Sequence, residues 1–225
     1  MNSMPEPINP WPAVPGRSPY VLSCDVRKIK EYNEKAHEEH KVQLNVLPEP
    51  FFGTTTAPVV LLALNPGFNN RDPKVHKDPR FQRLLRNNYS HGRSPFPFYF
   101  LNPNFESSGR EWWEKKLKFL LDHHEFTREK LAQSLLCVQY FPYHSRRFRK
   151  LELPSQEYGF GLVRSAITRG AVIVVMRSKK LWKKKVQELE GYPRAFTLKN
   201  PRNIVVSPGN CKRFDDVVSA IRNGK

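Results

Sequence analysis

Residues 59–68 of this chain read Val-Val-Leu-Leu-Ala-Leu-Asn-Pro-Gly-Phe. An apolar run of this kind suits a parallel strand covered on both faces, and Pro66-Gly67 forces a tight turn directly after it. The polar amide of Asn65 is therefore delivered to the carboxyl end of a strand, where open α/β sheets place their chemistry. The same residues also serve as a plain strand-ending turn, and the motif alone does not decide between the two. Asp72, seven residues on, is a second group able to activate water. His37 and His40 lie three apart on a polar stretch, but no carboxylate or cysteine pattern completes a metal site around them, so a solvated face is expected and no metal.

The elements that must hold Asn65 alternate along the chain. Strands are expected at 59–64, 134–140, 171–176 and 203–206, with helices near 79–87, 108–121, 155–169, 178–185 and 212–222. Ser108 and Glu111 have capping-box spacing, and Trp112, Leu117, Leu120 and Leu121 give that helix an apolar side. Ser178 stands where it can cap the lysine-studded helix after the third strand. A polar, helical stretch covers 25–41. Strands alternating with helices imply a three-layer α/β/α fold with a central four-stranded parallel sheet. The expected division is a proline-rich extension with a polar helix, residues 1–50, and one α/β domain, 51–225. Pro5, Pro7, Pro10, Pro12 and Pro15 make the start of the chain partly extended and mobile, and it resembles neither a signal peptide nor a membrane span.

With 225 residues and 39% hydrophobic content, the chain can bury one substantial core. Its 38 basic and 21 acidic residues leave a net charge of +17. The excess is uneven: residues 1–60 hold 6 basic and 7 acidic side chains, and residues 61–225 hold 32 and 14. A polyanion is the partner this charge implies, and nucleic acid is favoured over membrane because no long apolar or amphipathic anchor accompanies it. A generally basic solvated surface is the alternative. Cys24, Cys137 and Cys211 are too few and too scattered for a disulfide framework, which fits a reducing cytoplasmic or nuclear setting rather than secretion. No glycine-rich phosphate loop occurs, which argues against a nucleotide triphosphatase or a Rossmann dehydrogenase.

Three further segments add to Asn65-Pro66-Gly67. Residues 96–103 read Phe-Pro-Phe-Tyr-Phe-Leu-Asn-Pro, residues 109–115 read Gly-Arg-Glu-Trp-Trp-Glu-Lys, and residues 204–210 read Ile-Val-Val-Ser-Pro-Gly-Asn. In order and spacing, over about residues 55–220, these resemble the uracil-DNA glycosylase superfamily, nearest to its mismatch-specific and single-strand-selective monofunctional branches. The resemblance implies a cofactor-free hydrolase that flips a pyrimidine, uracil by default, out of DNA and cuts its N-glycosidic bond, as in base-excision repair or defence against viral DNA; a monomer is the simpler expectation.

Carried over by position, Asn65 holds the hydrolytic water. Phe100 stacks on the flipped base, with Phe98 and Tyr99 competing for that role, and Pro66, Gly67 and Phe68 lie against the base edge. Gln139 or Tyr140 reads that edge, although strand alternation lets only one of them point inward. Ser207, Gly209 and Asn210 resemble the loop that pinches the phosphate backbone, and Lys212 or Arg213 enters the gap left by the base. Arg146, Arg147, Arg149 and Lys150 are expected on phosphates. One departure stands out. Several branches carry a His at the final motif, where this chain has Val205 and Val206, and no His follows His144. That points to a retuned base preference, including bulky modified pyrimidines of viral DNA, or to a non-catalytic DNA-binding module. RNA binding through the same charge is a third reading.

Overall fold

In a computed structural model, which describes residues 7–224, five strands form one mixed sheet. In chain order the elements are α1 (Val26–Lys35), β1 (Phe51–Gly53), β2 (Val59–Ala63), α2 (Asp72–Val75), α3 (Pro79–Tyr89), α4 (Ser108–Leu121), α5 (Arg128–Ser134) and β3 (Leu135–Gln139). They continue with α6 (Gln156–Thr168), β4 (Val172–Val175), α7 (Lys179–Lys185), β5 (Ala195–Thr197) and α8 (Phe214–Asn223). Strand order is β1-β3-β2-β4-β5, with β1 antiparallel and all other pairs parallel. Every residue of β2, β3 and β4 is buried, so both faces of the central sheet are covered, and their unbroken apolar runs are what such strands require.

The α/β class is as expected, but the sheet has five strands rather than four and is not wholly parallel. β1 precedes the first expected strand. It is three residues long, and its Gly53 sits at φ +113, where a Cβ would lie 2.1 Å from the Leu135 carbonyl oxygen. Only glycine allows so close an approach. The last expected strand, 203–206, is absent, and β5 takes the edge beside β4. Ile204 and Val206 are buried, as their apolar character demands. Their segment's hydrogen bonds go elsewhere: the Val206 amide donates to Lys116 O at the flank of α4, and Asn210 Nδ2 donates to the carbonyls of Asn203 and Val205. The apolar pattern therefore reports packing under a helix, not a ladder.

Two local differences bear on the site. α4 is capped by Ser107, whose Oγ accepts from the Arg110 amide, while Ser108 turns its hydroxyl to Asp72 instead. Ser178 takes the N-cap position of α7 without a side-chain hydrogen bond. The start of the described chain is also not free. Trp11 is fully buried, with Tyr89 and Tyr143 at ring centroids of 6.2 and 6.0 Å, and Arg86 donates to the carbonyls of Val14 and Pro15. Pro5 lies outside the described residues. No helix among the described residues is long and apolar enough to cross a membrane.

Because Trp11 fills a site inside the main core, Trp11→Ala should cost about 3–5 kcal/mol in urea unfolding. A loss below about 1 kcal/mol would show that the N-terminal segment contributes nothing to that core.

Candidate functional site

Parallel pairing decides where the site lies. Ala63 is level with Gln139, and Leu62 with both Val138 and Val175, so the chain leaves β2, β3 and β4 at one edge of the sheet. β3 and β4 flank β2 on opposite sides, so successive connections part there and open a crevice. A cavity of about 520 Å³ occupies it, within the range of ligand pockets. A second cavity, about 310 Å³, lies near Gly53 and the opposite end of β3.

Asn65 lines the larger cavity. Its Nδ2 donates to Pro66 O at 2.9 Å and to Ser145 Oγ at 3.2 Å, which orients the amide and leaves its carbonyl oxygen to receive a water. Pro66, Gly67 and Phe68 line the same wall. Phe100 is the only ring of its loop in the lining. It stands edge-on to Phe52 at 5.1 Å, and Gly109 makes room for it: a Cβ there would lie 2.3 Å from Phe100 Cε1. Phe98 faces the core instead, against Phe52 and Trp113, and Tyr99 lines the smaller cavity.

Alternation settles the pair at the end of β3. Gln139 points into the cavity, and Tyr140 turns away to pack against Phe148, Phe160 and Trp182. Gln139 is only 7% exposed, and its Oε1 has no hydrogen-bond partner in the protein. A buried acceptor left open costs free energy unless a ligand fills it. Asp72 also lines the cavity, but Ser108 Oγ and the Asn69 amide occupy its two oxygens, at 2.7 and 2.6 Å, so it works as a turn brace.

Three ionisable residues that the sequence did not single out complete the site. Glu49, His76 and His144 line the cavity together, each no more than 5% exposed. Burial pushes the Glu49 carboxyl well above its ordinary range, and Asp72 adds to the rise. Burial pushes both imidazoles down, with His144 adding to the fall at His76. At His144 the Gly67 carbonyl and Asp72 pull the other way without reversing the shift. All three shifts favour the uncharged form. The one signal in the sequence was Pro48-Glu49-Pro50, an acid set against the apolar Phe51-Phe52. Nothing in spacing linked it to either histidine.

Cations stand at the mouth. Arg146 and Arg147 line the cavity, as does Arg177 past the end of β4. Arg146 sits over the Phe68 ring at 5.3 Å and donates to Asn70, while Arg147 pairs with Glu39 at 3.1 Å. Arg149 is exposed, and Lys150 pairs with Glu152. From the final motif only Ile204 reaches the cavity. Ser207 is buried and accepts the amides of Asn210 and Cys211, the Gly209 carbonyl accepts from Lys199 Nζ, and Asn210 knots its own loop. Lys212 is exposed beside them, and Arg213 pairs with Asp216 and lies over Phe196.

The folded chain keeps a Glu49 proton that the unfolded chain releases above about pH 4.3. Stability therefore falls as pH rises from there through the raised folded pKa. Glu49→Gln removes this loss. Relative to wild type it should gain stability steadily as pH rises from 4 to 7.5. An offset in unfolding free energy that is the same at both pH values would contradict a neutral buried Glu49. Compared with protein-family models, curated proteins and solved structures, the chain matches none.

Proposed function

We propose that this chain is a monofunctional DNA glycosylase of the uracil-DNA glycosylase type, which draws a pyrimidine into the cavity and hydrolyses its N-glycosidic bond. The observation that carries the reading is that Asn65, Phe100 and Gln139, from three separate segments, line one cavity at the carboxyl ends of the strands. Each of them has the chemistry its step needs.

Extrusion of a base costs a few kcal/mol, which stacking and edge contacts must offset. Phe100 supplies an aromatic edge and face worth about 1–3 kcal/mol. Gln139 supplies an amide that both donates and accepts, as a pyrimidine edge requires. As the bond to the base lengthens, the sugar becomes oxocarbenium-like and the base gains negative charge. The Asn65 oxygen holds water against the sugar. A neutral amide is a weak base, but the electrophile is strong and positioning is what it needs. Arg146, Arg147 and Arg177 lie where the phosphates flanking an extruded nucleotide would pass, in keeping with the charge of +17.

The size of the cavity, about 520 Å³, favours one extension of this reading: it leaves room for a substituent on the pyrimidine ring. A non-catalytic DNA-binding module on the same fold is the competing account.

Base release from oligonucleotides separates the two. Asn65→Ala should lower the rate of release by about 100-fold or more while leaving DNA affinity within a few-fold. Affinity without release from wild type would favour the non-catalytic module. Arg146→Ala and Arg147→Ala should each reduce the slope of log affinity against log salt by about 0.7–0.9. An unchanged slope would remove those arginines from the phosphate path.

A further inference from the structure

The hydrogen-bond polarity of the buried cluster is fixed at both of its ends. The Leu47 amide donates to His76 Nδ1 at 3.0 Å, so neutral His76 carries its proton on Nε2, which faces Glu49 Oε1 at 3.7 Å. At the far end His144 Nδ1 lies 2.6 Å from the Gly67 carbonyl, which can only accept. Neutral His144 therefore has a bare Nε2. It faces the same Glu49 oxygen at 3.8 Å and has no hydrogen-bond partner.

One proton on Glu49 completes this run. His76 Nε2–H then points at a carboxyl oxygen, and the acid's own O–H is the donor that the orphaned His144 Nε2 lacks. With that proton removed, a carboxylate would face a lone pair in a buried site. The three side chains also offer ligand atoms within 4.8 Å of one another, a spacing that suits a cation. His76 Nε2, however, carries a hydrogen and offers no lone pair while Leu47 holds Nδ1, so a proton is the occupant this arrangement selects. Neither gap is short enough for a settled hydrogen bond. The acid is held loosely, on the wall of the cavity.

We propose that Glu49 is a further catalytic residue of this cavity, a general acid that protonates the leaving base, and that the base it serves is a 4-aminopyrimidine of the cytosine class. The proposal rests on the glycosylase reading above. A 4-oxopyrimidine leaves as an anion spread over its imide and has little need of a proton. A 4-aminopyrimidine has no imide, makes a far poorer anion and departs readily only when protonated. Its exocyclic amine is also a donor suited to the open Gln139 Oε1. In the step, the C1′–N1 bond breaks with its electron pair passing to the ring, and the Glu49 proton goes to ring N3 or O2. The oxygen of the water held by Asn65 bonds to C1′, and the proton that water sheds restores Glu49. The products are the neutral base and the abasic sugar.

The groups facing Glu49 are His76, His144, Asp72, Tyr89, Tyr99 and Cys137. Burial holds the two imidazoles down and the phenols and thiol up, and the Asp72 oxygens are taken by Asn69 and Ser108, so Glu49 is left as the open acid of this set, its pKa raised by burial.

The test is single-turnover base release by wild type and Glu49→Gln between pH 5.5 and 9. The DNAs carry, at one position, cytosine, 5-hydroxymethylcytosine, uracil or 5-hydroxymethyluracil. The Glu49→Gln amide keeps the hydrogen-bond polarity of the protonated acid but has no proton to give. Release of 4-amino bases should fall by about 100-fold or more in the variant, and release of 4-oxo bases by less than about tenfold. In wild type the 4-amino rate should fall as pH rises while the 4-oxo rate does not, a comparison that holds even if the variant folds poorly. Equal losses for both classes, or a 4-amino rate indifferent to pH, would overturn the role of Glu49. Release of 4-oxo bases alone by wild type would overturn the proposal and leave the glycosylase reading standing. Release of neither class would remove both.

Discussion

The parallel register of β2 against β3 and β4 is the constraint on which everything else depends. Because Ala63 is level with Gln139 and Leu62 with Val175, three chain segments emerge together, and Asn65, Gln139 and Arg177 meet at one cavity without any sequence proximity. A slip of one residue in β3 would turn Gln139 into the wall and bring Tyr140 forward. The continuous apolar run of each strand does not itself fix that phase. The exit of the strands does: Tyr140 and Phe141 donate their amides to Ala63 and Leu64, so β2 and β3 stay paired beyond the ladder. The site is thus a consequence of sheet registration, and the loops decorate an edge already defined.

The same edge carries a cost. An acid and two imidazoles are buried under the cavity, and burial shifts each of them toward its uncharged form rather than toward an ion pair. A core built for stability alone would place apolar side chains there. Backbone groups at both ends, Leu47 N–H and Gly67 C=O, fix the direction of the hydrogen bonds, and Gly67 belongs to the same irregular segment that presents Asn65. The segment that presents Asn65 and the histidine facing the buried acid are therefore joined by one hydrogen bond, His144 to Gly67.

Much of the fold was legible in the sequence, for a physical reason: β2, β3 and β4 are buried on both faces and so announce themselves as apolar runs. β1 and β5 were not, because three-residue strands carry too little pattern. The 203–206 run reads as a strand because burial under α4 and burial in a sheet demand the same side chains. At the site, Asn65 and Phe100 are legible in the sequence, but setting aside Phe98 as a competitor, and choosing Gln139 over Tyr140, needs the direction in which each side chain leaves the backbone. Gly109 and the edge of the sheet supply those directions. Glu49, His76 and His144 were out of reach, since they come from three segments with no spacing rule between them and acquire their chemistry only from shared burial.

The central claim is hydrolysis of a base from DNA in this cavity, and product masses test it most directly. Wild-type protein would be incubated with single- and double-stranded oligonucleotides carrying one uracil, cytosine or substituted pyrimidine, and all products weighed by mass spectrometry. The account predicts a free base together with an unbroken strand lighter by that base and heavier by one water. DNA that is bound but returned at its original mass, for every base offered, would contradict it.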